Sequence, residues 1–242
     1  MTDKRFRALL LQVRNPEDKI RAQEIKGFSS VLNIDPDHLT ICDLLQRAPS
    51  PEMLKQHQMV LIGGSGDYSA AGEGSWLNRT FDFLRELCDS GKPTFGSCWG
   101  FQAIARALGG KVINDPQHAE LGSVPLFRTE LGKEDPLFKD LEDPFWGQAG
   151  HEDSVVELPD EAEWLAYSER VSYQAFRLKD RLIYATQFHP ELSVEDFQGR
   201  VIAYPKYVEQ IAQMPADDFL RMIRPTPAAR GLLRKFRDLV LQ

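Results

Sequence analysis

Residues 6–13 read Phe-Arg-Ala-Leu-Leu-Leu-Gln-Val, a near-continuous apolar run typical of a strand covered on both faces. This feature narrows the fold most, because a strand buried on both sides needs a layer above it and another below. The sequence supplies them by alternation. Asn15-Pro16-Glu17-Asp18 reads as an N-cap, a proline at the first helical position and an acidic first turn. Ile20, Glu24, Ile25, Phe28, Val31 and Leu32 follow as an imperfect helical stripe. Stretches 39–44 and 59–62 read as two further strands, with a short helix begun by Ser50-Pro51-Glu52 between them. Leu77, Phe81, Leu84 and Leu87 repeat at helical spacing, and Gly91 closes that helix. Strands and helices in alternation imply a mostly parallel α/β sheet with helices on both faces.

From about residue 111 the texture changes. Short β-like segments surround Val112, Val124, Val155 and Leu165. Stretches 173–178 and 181–188 are split by Lys179-Asp180, which reads as a two-residue hairpin turn. An antiparallel extension of the sheet is expected. After Pro190 the chain turns helical. Ser193-x-x-Asp196 resembles a capping box, Tyr204-Pro205 interrupts, and Thr226-Pro227 starts a last helix with Leu232, Leu233, Phe236, Leu239 and Val240 on one face. One domain is expected over 1–242, with a core of about 6–191 and a helical extension of about 192–242.

The charge balance sets limits on partners. Lys and Arg total 29 against 36 Asp and Glu, a formal charge of -7. An acidic chain argues against nucleic acid and anionic membrane as partners. Arg230, Arg234, Lys235 and Arg237 read as a solvated helix face. No run approaches the length of a spanning helix, and residues 1–5 lack the apolar core of a signal peptide. Cys42, Cys88 and Cys98 form no metal-binding spacing, and three free thiols suit a reducing compartment. A cytoplasmic protein without metal or cofactor is expected.

Chemistry concentrates in three places. In the first, a short strand runs into Gly96-Ser97-Cys98-Trp99-Gly100 and a helix pattern follows at once. This is nucleophile-elbow spacing, with Cys where hydrolases often have Ser. The two glycines remove side chains that would collide across a sharp turn. That turn lifts the sulfur above the sheet edge, near a helix N-terminus that favours a thiolate. The bland alternative is a buried cysteine in a glycine-rich turn. In the second place, His189 ends an apolar strand and Glu191 follows two residues later, across Pro190. Residues two apart in an extended segment project to the same side, so a carboxylate is available to hold the imidazole. In isolation a surface His-Pro-Glu turn would be the favoured reading. The third place is Gly63-Gly64-Ser65-Gly66, a loop after a strand, whose N–H groups suit an oxyanion. A phosphate loop would need a Gly-Lys-Ser/Thr that is absent, and a simple turn stays open.

Taken together, these segments resemble the class I glutamine amidotransferases. The resemblance runs from about Phe6 to Glu191, and Gly150-His151-Glu152-Asp153-Ser154-Val155 is similar to a segment of the GMP synthetase glutaminase domain. Three positions depart from the family pattern. Ser65 replaces a usual proline, Trp99 stands for Tyr, Phe or Leu, and Glu152 stands for Gly. The resemblance implies a flavodoxin-like fold with Cys98 as nucleophile, His189 as general base and acid, and Glu191 as its orienter. It further implies an oxyanion hole from the N–H groups of Gly64 and Trp99. Substrate contacts would come from Gln102, and from His151, Glu152 and Asp153 around the α-amino and α-carboxyl groups of glutamine.

The expected activity is cysteine-dependent hydrolysis of a γ-glutamyl amide through a thioester. Glutamine or a related γ-glutamyl compound is the expected substrate. Only 51 residues follow Glu191, too few for a synthetase domain, so any ammonia acceptor is expected on a separate synthetase chain. The competing enzymatic reading is a γ-glutamyl peptide hydrolase, with a long Gly-rich stretch at 65–75 acting as a mobile flap. Two other classes compete. One is a non-catalytic binding module, and the other is a redox-protective protein with a reactive cysteine on a related fold. The latter lacks a downstream His-x-Glu.

Overall fold

The computed structural model describes residues 6–242, apart from the side chain of Lys206. Residues 1–5, and with them the expectation about a leader, lie outside the described residues. The apolar run becomes β1 (Ala8–Gln12), buried at all five positions. It pairs in parallel with β2 (Leu39–Asp43) on one side and β3 (Met59–Ile62) on the other. Next to β3 lies β4 (Thr94–Ser97), also parallel. The intervening helices are α1 (Ile20–Leu32), α2 (Pro51–Lys55), α3 (Ser75–Asp89) and α4 (Trp99–Ala107).

The second half of the chain adds β5 (Lys111–Asn114), β6 (Glu120–Arg128), α5 (Glu130–Glu134), β7 (Phe145–His151), β8 (Asp153–Glu157), β9 (Ala162–Tyr167), β10 (Ala175–Leu178) and β11 (Ile183–Thr186). The main sheet runs β2-β1-β3-β4-β11-β10-β9-β6-β7. Its fifth strand, β11, is parallel to β4, which completes a flavodoxin-like order. Beyond it β10, β9, β6 and β7 pair antiparallel, the expected extension. The β10–β11 hairpin closes over Lys179-Asp180, where the Arg181 N–H donates to the Leu178 carbonyl at 3.2 Å.

Alternating side chains divide the core between the sheet's two faces. Leu10, Phe95 and Tyr184 face α1 and the last helix, whereas Leu9, Leu11, Ile62 and Ala185 face α3 and α4. The chain finishes with α6 (Val194–Ala203), α7 (Pro205–Tyr207), α8 (Ala216–Met222) and α9 (Pro227–Val240). Helix α6 opens on a full capping box: the Asp196 N–H donates to Ser193 Oγ at 3.1 Å, and the Ser193 N–H donates to Asp196 Oδ2 at 3.2 Å. Leu232, Leu233 and Phe236 of α9 are fully buried, and the Phe236 ring meets Phe95 edge-on at 5.4 Å. Burying each such side chain contributes about 1.5–3 kcal/mol.

Three expectations need correction, and one strand was not anticipated. Helix α1 starts at Ile20, not beside Asn15: the Asn15 side chain bonds Asp67 and Tyr68, and it is Asp18 Oδ1 that accepts the Ile20 N–H, at 2.8 Å. The segments around Val112 and Val155 pair with each other as a separate two-stranded sheet, β5–β8, and do not extend the main one. Strand β7 had no periodic signal, since its sequence FWGQAGH carries two glycines. The stretch 65–75 is tied down. Ser69 Oγ donates to Asp153 at 2.6 Å, and the Arg106 guanidinium donates to the carbonyls of Ala70 and Gly72 at 2.5 and 2.6 Å. Among the described residues, no helix is long and apolar enough to cross a membrane.

Candidate active site

Strand β4 ends at Ser97 and α4 begins at Trp99, which leaves Cys98 alone to make the turn. It does so at φ 52° and ψ -101°, a conformation costing a non-glycine residue about 1–3 kcal/mol. Two backbone hydrogen bonds hold it there: the Cys98 N–H donates to the Thr186 carbonyl at 2.8 Å, and the Gln102 N–H donates to the Cys98 carbonyl at 3.2 Å. The flanking glycines are required by close approach. A Cβ on Gly96 would stand 2.9 Å from the Gly100 carbonyl, and one on Gly100 would stand 2.6 Å from the Ile62 oxygen. The sulfur therefore sits at the N-terminus of α4, 5% exposed, with the Gly150 carbonyl 3.8 Å away.

Strand β11 delivers the second group. After Thr186 the chain leaves the sheet, and the His189 N–H donates to the Gln148 carbonyl at 2.8 Å. The imidazole Nδ1 lies 2.7 Å from Glu191 Oε1. A Cβ placed on Gly64 would stand 2.9 Å from His189 Cε1 and 3.7 Å from Cys98 Cβ, so imidazole and thiol border the same glycine. Burial opposes an imidazolium here, but the Glu191 carboxylate and the Cys98 sulfur outweigh it and raise His189 to about 9. Burial likewise opposes an ionised Glu191, yet His189 and Arg200 hold it at about 2.

Two partners of this pair escaped sequence reasoning. Ser97 Oγ donates to Glu191 Oε2 at 2.8 Å. Arg200 of α6 places Nη2 3.4 Å from Glu191 Oε1 and Nη1 3.2 Å from His189 Nδ1. With the Nδ1 proton directed to Glu191, the latter contact is between neighbouring charges and is not a hydrogen bond. Ser97 lies inside the elbow motif itself, where its position was the available signal. Arg200 gave none, because its role depends on how α6 packs.

The glycine loop corrects the oxyanion expectation. The Gly64 N–H donates to Glu24 Oε1 at 3.1 Å, so it is occupied and not offered to a carbonyl on Cys98. Glu24 is fully buried on α1, where it also accepts from Arg14 Nη2 at 3.1 Å and Gln12 Nε2 at 3.0 Å. Gly63 is needed for the same reason, since a Cβ there would stand 2.5 Å from Glu24 Oε1. A carboxylate on the core-facing stripe of α1 was the sequence signal for this arrangement. Trp99 differs from Gly64. As the first residue of α4 its N–H has no intrahelical acceptor.

The remaining expected residues gather around a cavity of about 160 Å³ that opens onto Cys98 and is lined by Gln102, His151, Glu152 and Asp153. Gln102 Nε2 donates to the Asp153 carbonyl at 3.0 Å and to Gln187 Oε1 at 3.1 Å. The Asp153 carboxylate accepts from Asn114 Nδ2 at 3.1 Å and Ser69 Oγ. His151 needs correction as a substrate contact: Nδ1 lies 3.0 Å from the Asp153 carbonyl and Nε2 3.2 Å from Glu120, which leaves neither nitrogen free. Burial would raise Glu120, but His151, Ser168 and Gln174 hold it below the usual range. His151 thus supports the cavity wall. Among the described residues, no group of His, Cys, Asp and Glu is arranged to hold a metal ion.

The family model for "Glutamine amidotransferase class-I" matches residues 30–204. A GMP synthase (glutamine-hydrolysing) of Aquifex aeolicus is 33% identical over 185 residues, covering 76% of this chain and 32% of that protein. Gamma-glutamyl peptidase 4 of Arabidopsis thaliana is 30% identical over 160 residues, 64% of this chain and 63% of that one. A separate glutamine-hydrolysing GMP synthase subunit from Methanococcus vannielii is 40% identical over 101 residues, 42% of this chain and 51% of that protein. The chain thus spans between 32% and 63% of the length of these relatives. A glutamine amidotransferase crystal structure from Thermotoga maritima shares the fold, with a TM-score of 0.78 at 20% identity over 99% of this chain and all of that one. The chain belongs to the class I glutamine amidotransferase family.

Proposed function

We propose that this chain hydrolyses γ-glutamyl amides, glutamine being the simplest, through a thioester on Cys98. The observation that carries the reading is the Cys98 elbow beside a His189 imidazole that is itself 2.7 Å from Glu191. The Cys98 sulfur attacks the γ-carbonyl, and the tetrahedral oxyanion forms beside the Trp99 N–H at the positive end of α4. His189 gives its proton to the departing amine, then takes one from the water that cleaves the thioester. Glu191, fixed by Ser97 and Arg200, keeps the imidazole oriented and offsets its charge. Glutamate and the amine leave, and the thiol is restored. With the Gly64 N–H committed to Glu24, the hole lacks a second donor, a difference worth about 3–4 kcal/mol of barrier. Slow turnover of glutamine is therefore expected.

The match to a glutamine-hydrolysing subunit of a GMP synthase supports a wider role, in which the ammonia passes to a separate synthetase chain. Ammonia release from glutamine by the purified chain, with and without Cys98→Ala, tests the core of the reading. Release that vanishes in a folded Cys98→Ala variant is the expected result. Equal release by both proteins would refute the assignment.

A further inference from the structure

Acyl transfer sends the two halves of a substrate in different directions. The glutamyl half stays on the Cys98 sulfur, while the amine half must receive its proton from His189. Two recesses meet over these residues and share Ser65, Gly66, Gly150 and Tyr207 in their walls. The one that contains Cys98 is polar and carries Gln102 and Asp153. The other contains His189, Arg14 and Arg200 and is otherwise walled mainly by Leu121, Phe197, Val201, Tyr204 and Tyr207. It is also the smaller, about 50 Å³ against about 160 Å³.

The cations on the His189 side are already spent. Arg14 pairs with Asp18 at 3.0 Å and with Glu24 at 3.1 Å, whereas Arg200 pairs with Glu191 at 3.4 Å and has Glu24 at 3.8 Å. With the His189 imidazolium, paired to Glu191 at 2.7 Å, three cations are thus matched one for one by three carboxylates. Arg14 Nε is buried without a partner, but one N–H on a paired cation does not offset that balance. A leaving group that carried its own carboxylate would enter an apolar slot with no net positive charge to meet it, a costly transfer. Tyr204 and Tyr207 roof the slot: Tyr204 Oη donates to Asp18 at 2.8 Å, and Tyr207 Oη donates to the Gly66 carbonyl at 3.4 Å.

We infer that this recess is a leaving-group subsite for short, uncharged, apolar amines, so that the preferred substrates beyond glutamine are γ-glutamyl N-alkylamides and not γ-glutamyl peptides. The inference rests on the hydrolytic reading above. In the reaction the sulfur–carbon bond forms, the carbon–nitrogen bond breaks, and the His189 proton goes to nitrogen. Water then cleaves the thioester, so that amide and water give glutamate and alkylamine.

The test uses the purified chain and three substrates: L-glutamine, γ-glutamylisobutylamide and γ-glutamylglycine. The last two have leaving groups of the same branched shape, one ending in two methyl groups and the other in a carboxylate. The isobutylamide should have the higher kcat/KM by about tenfold or more, the scale of apolar-pocket discrimination. Leu121→Lys, which brings an ammonium to the slot, should shift that ratio towards γ-glutamylglycine. Equal or better turnover of γ-glutamylglycine by the unaltered chain would overturn the subsite while glutamine hydrolysis still upheld the enzyme. No shift in the ratio for a folded, glutamine-hydrolysing Leu121→Lys variant would also overturn the subsite. Inertness towards all three would remove the hydrolytic reading, and the subsite with it.

Discussion

His189 and Glu191 are both buried, and each holds the other in its charged form. The folded imidazolium titrates at about 9, above its ordinary 6.5, and the folded carboxylate at about 2, below its ordinary 4.5. A raised histidine contributes stability that is complete below 6.5 and lost as pH rises through about 9. A lowered carboxylate contributes stability that is complete above 4.5 and lost as pH falls through about 2. The pair therefore stabilises most between about 4.5 and 6.5. Glu191→Gln should lower urea stability by on the order of 3 kcal/mol at pH 5.5 and by clearly less at pH 9.5. An equal loss at both values would show that His189 is not the group carrying the charge. Cys98, His189 and Glu191 were legible in the sequence because local chain geometry places them. An elbow needs its glycines within two residues, and His-x-Glu needs only an extended backbone. Ser97 and Arg200 reach Glu191 only after β4, β11 and α6 have assembled, so no local pattern marks them.

At the scale of elements, α1 is more than a cover for the sheet. It carries Glu24 to the loop after β3, where one carboxylate joins the Gly64 N–H, the Arg14 guanidinium and the Gln12 amide. Arg200 of α6 stands 3.8 Å from the same oxygen, so α6 and α1 meet beneath the candidate site. Glu24→Ala should cost about 3–5 kcal/mol in urea denaturation, because it leaves Arg14 buried without its main counter-charge. A loss below about 1 kcal/mol, the scale of an exposed pair, would mean the cluster does not hold the loop. The strands and most helices were legible from apolar periodicity, which is a local property. The start of α1 was not, since the Asn15 side chain is claimed by the distant Asp67 and Tyr68, and Asp18 receives the first helical N–H in its place. The β5–β8 pair was misplaced for a related reason, because periodicity marks a strand without naming its partner.

Taken whole, the molecule brings the carboxyl ends of β3, β4 and β11 to one edge of a sheet covered on both faces. Cys98, His189 and the glycine loop all arise from those three strand ends, where open α/β sheets gather their ligands. The helices after Pro190 then close over that edge and supply Arg200, Tyr204 and Tyr207. The remaining thiols belong to the core. Burial pushes Cys88 up to about 12, and it also raises Cys42. The most direct test of Cys98 as nucleophile is labelling with a chloroketone analogue of glutamine, followed by peptide mass analysis. One label on Cys98, slowed by added glutamine, is expected. Labelling of Cys42 or Cys88 with Cys98 untouched would contradict the assignment.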